Sequence, residues 1–228
     1  MSDLSRQRTI AQILGEALRL LARRPFVLLR LAVVIVVPYD ILVLLIARSA
    51  PLEQTRASSE TVLLLALLSF AIVGPVISAL QVQVLASRGR DAKAAVRAGL
   101  RSLPVVIAAE IIAGLGIGLG VLLFVIPGVI LLLRWSVVAP VASLEGTDWP
   151  SALRRSAQLS ARNYMRVFGL RLVVAIVNLT LINVVSFAAG TSRHAGPVAL
   201  GICLDVLANA FQSLVIALLY FDLRARSA

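Results

Sequence analysis

Six long apolar stretches, at 26–47, 62–86, 103–125, 127–144, 167–189 and 197–221, constrain this chain more than anything else in it. A helix rises 1.5 Å per residue, so about 20 apolar residues cross the roughly 30 Å of a bilayer's hydrocarbon. A water-soluble fold would have to hide all six in one core and clothe that core with charge. Only 14% of the 228 residues are charged and 60% are hydrophobic, whereas a soluble domain carries about a quarter charged residues. The sequence therefore predicts an all-α polytopic membrane protein, one integral membrane domain over 1–228, with connectors too short for a soluble domain. Arg23-Arg24-Pro25-Phe26 ahead of the first stretch resembles a twin-arginine export signal. That stretch is longer than a signal-peptide core and five more follow it, so it reads as a retained span.

The charges set an orientation. Lys and Arg number 22 against 11 Asp and Glu, and all the cations but Lys93 are arginine. An even number of spans places both termini on one side. That side receives 18 of the cations, the other only Arg48, Arg56 and Arg193, while Arg134 lies inside the fourth stretch. Such a bias predicts both termini in the cytoplasm, in a bacterial inner membrane. Because the arginines flank apolar spans, the partners they point to are the phospholipid bilayer and its anionic lipids, not nucleic acid. A second copy of the chain or another membrane protein is a further partner compatible with this layout.

The basic side repeats a pattern at 16–25, 94–104 and 151–156. Each segment places apolar residues three and four apart and arginines on the opposite face, as a helix lying in a membrane interface does. The expectation is six transmembrane helices in three hairpins, each hairpin preceded by a cytoplasmic amphipathic helix. Arg19, Arg23, Arg24, Arg97, Arg101, Arg154 and Arg155 would then meet lipid headgroups. The plainer alternative is that any inward-facing loop of an arginine-rich proteome collects Arg and Ala.

Ionisable groups inside spans are costly and mark functional candidates. Asp40, Arg134 and Asp205 fall roughly 10–12 Å below the outer end of their spans at the helical rise, with Asn183 near the same layer and Tyr39 as a further donor. A buried ionic cluster follows, since one guanidinium fork can serve two carboxylates. It reads either as a lock on helix register or as a path for a solute or proton. A misplaced span boundary, leaving Arg134 or Asp40 at an interface, is the third reading. Glu110 sits nearer the cytoplasmic end, where an arginine of an interfacial helix would pair with it. Gly114, Gly116, Gly118 and Gly120 are not a phosphate loop, because they interrupt an apolar span; their spacing suits close helix packing. Pro127-Gly128 reads as the tight outer turn between the third and fourth spans. Pro38, Pro75, Pro104, Pro140 and Pro197 read as kinks.

A single cysteine, Cys203, and a single histidine, His194, provide neither a disulfide framework nor a Cys/His zinc site. The expectation is no metal, no cofactor and no catalytic residue, because a nucleophile beside a base is not visible. Asp40 and Asp205 lack the glycine context of an intramembrane aspartyl pair.

Ile126-Pro127-Gly128, then Arg134-Trp135-Ser136, Ala139-Pro140-Val141 and Leu144-Glu145-Gly146 form a distinctive string. With 152–156 and the ending Tyr220-Phe221-Asp222-Leu223-Arg224, it resembles the six-span membrane domain fused to some bacterial glycerophosphoryl diester phosphodiesterases. The resemblance runs over nearly the whole chain and implies a six-helix membrane domain. It marks Pro127, Gly128, Arg134, Trp135, Glu145 and Asp222 as motif positions. Phosphodiester chemistry belongs to a separate soluble domain of those proteins and is not implied here. The expected function is non-enzymatic, organising anionic lipid or scaffolding a membrane partner. Solute or ion transport through the Asp/Arg cluster is the alternative, and a membrane-embedded lipid enzyme is a third. In a Cys203→Ser background, cysteines replacing Ser58 or Ser192 are expected to react with an impermeant maleimide from outside, and one replacing Ser227 only from inside. Outside reaction at 227 would overturn the layout.

Overall fold

The computed structural model describes residues 7–23, 25–49, 73–87, 91–190 and 195–227, and every regular element among them is helical. In chain order these are α1 (Ile10–Arg23), α2 (Pro25–Ser49), α3 (Gly74–Ala86), α4 (Ala92–Leu123) and α5 (Val125–Arg134). They continue as α6 (Val138–Leu144), α7 (Trp149–Ser160), α8 (Tyr164–Gly190) and α9 (Ala195–Ser227). Five stretches are long and apolar enough to cross a membrane: Leu28–Leu45, Lys93–Leu123, Val125–Leu144, Tyr164–Leu181 and Ala199–Ser227. The chain is a multi-pass membrane protein. Of the stretch expected at 62–86, residues 62–72 lie outside the described residues and the remainder includes α3, 13 residues long.

Local sequence explains where several helices begin. Thr9 and Gln12 cap α1 reciprocally: the Thr9 amide donates to Gln12 Oε1 at 2.9 Å and the Gln12 amide to Thr9 Oγ1 at 3.3 Å. Ile13, Ala17 and Leu21, four apart, are the buried stripe of α1. Asp91 caps α4 by accepting from the Ala94 amide at 3.0 Å. The second basic segment, expected as a separate interfacial helix, is continuous with the span that follows it. α4 runs through Pro104 without a break and is 32 residues long. An alanine-rich sequence favours helix on both sides of that proline, so the single lost hydrogen bond does not end it.

The turn between α4 and α5 differs from expectation. It is one extended residue, Phe124 (φ −155°, ψ 134°), and Pro127-Gly128 belong to the first turn of α5. The two helices then run back along each other at backbone contact. A Cβ on Gly128 would lie 2.5 Å from the Val121 nitrogen, and one on Gly120 2.9 Å from the Gly128 Cα. Gly116 gives the same room to the Trp135 ring, 2.6 Å from where its Cβ would be. Gly118 does not share this role, because nothing lies within 4 Å of its Cβ position. Leu122, Leu123, Phe124, Val125 and Ile126 are all exposed at the hairpin tip, an apolar surface that hydrocarbon accepts and water does not.

The lower half of α9 is the core of the bundle. Leu214, Leu218, Leu219, Tyr220 and Leu223 are buried there, and α9 packs against α1, α2, α3 and α8. Replacing Gly128 by Val is expected to lower stability by at least about 1–3 kcal/mol, the usual cost of overpacking. Gly118→Ala should leave the thermal unfolding midpoint in detergent unchanged. Equal midpoints for the two variants would contradict the hairpin packing.

Candidate functional site

The fourth apolar stretch is not one helix. α5 stops at Arg134, residues 135–137 form turns, and α6 begins at Val138. Backbone groups released by such a break need partners where water is scarce, and two neighbouring helices supply them. Ser156 of α7 donates its hydroxyl to the Arg134 carbonyl at 2.9 Å and accepts from the Val137 amide at 3.3 Å. Arg171 of α8 donates Nη2 to the Ser136 carbonyl at 2.6 Å. The Arg171 charge also faces Glu110 of α4, without a direct ion pair. Ser136 Oγ and Arg171 Nε are buried without a hydrogen-bond partner.

A second polar cluster gathers the chain ends. Asp222 is fully buried, and its Oδ1 accepts from the Arg8 amide at 2.6 Å. Its Oδ2 accepts from Arg226 Nε at 2.9 Å and lies 3.4 Å from Arg166 Nη1. Both guanidinium groups also donate to the Arg8 carbonyl, and Arg8 Nε meets Glu16 Oε2 at 2.5 Å. Beside this knot, Tyr220 donates to Glu145 Oε1 at 2.9 Å, and Glu145 Oε2 lies 3.4 Å from Arg155 Nε. Ser143, two residues before Glu145, has its hydroxyl 3.1 Å from that of Ser102 in α4. These contacts bring the start of α1, the first turns of α4, the end of α6 and the end of α9 to one arginine-rich end. The two acidic motif positions, Glu145 and Asp222, both anchor α9 there.

Between α5 and α7 lies a cleft of about 340 Å³, lined by Leu131, Arg134, Trp135, Trp149, Leu153 and Arg154 among others. Arg134 and Arg154 are exposed, and neither guanidinium makes an ion pair or hydrogen bond among the described residues.

The expected Asp/Arg cluster is not brought together. Asp40 in α2 and Asp205 in α9 do come close enough for their charges to act on each other. Arg134 meets neither. It sits at the end of α5, which packs on α4, α7 and α8. Equal depth along a helix says nothing about position around a bundle, and that is where the expectation failed. Asn183 donates to the Leu179 carbonyl of its own helix at 2.7 Å, Asp205 Oδ1 accepts from Asn209 at 3.1 Å, and Tyr39 packs at the core's edge. Glu110 faces Arg171 of α8, not an arginine of an interfacial segment. Arg19, Arg97 and Arg101 are exposed, Arg155 is paired as above, and the Arg23 side chain and Arg24 lie outside the described residues.

Sequence reasoning passed over Arg171, counting it with the basic connector although it stands five residues inside Arg166 in an apolar run. It also passed over Asn178 and Gln212, amides in facing spans that join α8 to α9 at 2.7 Å. The chain matches no family model, no curated protein and no solved structure. Arg134→Leu is expected to change stability by no more than about 0.5 kcal/mol, as for an exposed position without partners. Arg171→Leu removes the donor to the Ser136 carbonyl and the charge near Glu110, and should cost about 1–3 kcal/mol, part of it recovered in Arg171→Leu/Glu110→Leu. Thermal unfolding of the three variants checks this ordering.

Proposed function

We propose that this is a non-enzymatic integral membrane protein of a bacterial inner membrane whose arginine-rich, cytoplasmic end organises anionic phospholipid. One observation carries the reading. Three carboxylates gathered at that end are already engaged, Glu16 by Arg8, Glu145 by Arg155 and Tyr220, Asp222 by Arg166 and Arg226, while Asp91 caps α4 and Asp148 is exposed. Arg19, Arg97 and Arg101 are left exposed without an acidic partner among the described residues. Unneutralised arginines beside lipid-exposed helices attract anionic headgroups, at about 1 kcal/mol per charge near the surface. The same surplus discourages association through this end with any other basic surface.

A second reading, passage of a proton or small cation, is favoured by Asp40 and Asp205 alone. The two carboxylates are near enough for their charges to act on each other, and Asp40 Oδ2 is buried without a hydrogen-bond partner among the described residues. Ion flux into proteoliposomes that survives Asp40→Asn/Asp205→Asn would remove this reading.

For the lipid reading, the measurement is the ratio of anionic to zwitterionic phospholipid retained after mild detergent extraction. Arg19→Gln/Arg97→Gln/Arg101→Gln is expected to lower that ratio severalfold. These exposed residues contribute little to folding, so an unchanged ratio would overturn the proposal.

A further inference from the structure

We infer that the cleft between α5 and α7 is a discrete binding site for one anionic phospholipid, whose phosphate sits between Arg134 and Arg154. The inference rests on the lipid reading above and assigns it a place. Four features of the cleft converge on this ligand class. First, both guanidinium groups are exposed and make no ion pair among the described residues, while Arg155, the neighbour of Arg154, is occupied by Glu145. Charge-assisted donors in this state fit a phosphodiester. Second, the walls are apolar and aromatic, from Leu131, Leu153, Trp135 and Trp149, and an acyl chain is the natural neighbour of a phosphate in such surroundings.

Third, the size is right: about 340 Å³ is at the lower end of small-ligand pockets, enough for a headgroup and the start of its chains. Fourth, α5 continues from Arg134 to the hairpin tip over 10 residues, about 15 Å at the helical rise. Exposed Ile130, Ile126 and Val125 along it offer an acyl chain an apolar track. A soluble anion would have no use for that track. The Ser156 hydrogen bonds to Arg134 and Val137 fix the two walls relative to each other.

The chain's only two tryptophans are Trp135 and Trp149, and both line the cleft, so intrinsic fluorescence reports on this site alone. The test uses the full-length protein in vesicles containing phosphatidylglycerol and phosphatidylcholine at fixed proportions, with either lipid brominated on its acyl chains. Brominated phosphatidylglycerol is expected to quench the tryptophans more strongly than brominated phosphatidylcholine at equal mole fraction. Arg134→Gln/Arg154→Gln should remove that excess, lowering relative affinity for the anionic lipid by about tenfold or more. Equal quenching by the two lipids in the unaltered protein, or an excess that survives the double variant, would overturn the site. Loss of the excess on adding millimolar inorganic phosphate would also overturn it, because the occupant would then be a free anion. Arg19→Gln/Arg97→Gln/Arg101→Gln separates the two proposals. An intact excess with unchanged bulk lipid retention supports the cleft while the wider reading fails. An excess that survives in the cleft variant, with normal bulk enrichment, fails the cleft alone.

Discussion

A peptide group that leaves a helix among apolar neighbours must find a partner, and at residues 135–137 this chain leaves a helix. Much of the architecture follows from meeting that demand. Ser156 brings α7 against the end of α5 because its hydroxyl serves both an orphaned carbonyl and an orphaned amide. Arg171 brings α8 to the same place, and its charge is tolerable there because Glu110 of α4 faces it. The glycines of the α4–α5 hairpin matter for the same reason. They let α5 lie at backbone contact with α4, so that Trp135 fits over Gly116 and the break falls beside the helices that complete it. A continuous helix through 127–144 would need none of these partners.

What the sequence made legible was of one kind: features written along a single helix. Apolar length announced the membrane, and the string from Pro127 to Glu145 includes residues that sit at structural junctions. What stayed hidden were relations between helices. Asp40, Arg134 and Asp205 share a calculated depth, yet α5 stands on a different side of the bundle from α2 and α9, so the guanidinium finds neither carboxylate. Arg171 was hidden for the opposite reason. Its neighbours in sequence suggested a basic connector, and only the fold shows that it reaches inward to a carbonyl freed by another helix. The break itself could have been suspected. Trp135-Ser136 after Arg134 interrupts an otherwise aliphatic run, and a serine with an arginine is a poor choice for the middle of an undisturbed span.

Of the two carboxylate clusters, the one around Asp222 has the longer reach. Its partner, the amide of Arg8, lies 214 positions earlier in the chain, and Arg166 joins them from in between. A contact of that separation cannot form until all the helices between its two ends have been made. As the ribosome feeds successive helices into the bilayer, the segment around Arg8 waits with its backbone donor and carbonyl unsatisfied. It settles only when α9, which also fills the centre of the bundle, has been inserted. Assembly is therefore late in its decisive step: helices inserted one by one remain a loose set until α9 joins them. Contacts so distant in sequence are entropically slow to form. Truncation within α9 would consequently release inserted but unassembled helices, which is the form that membrane quality-control proteases recognise.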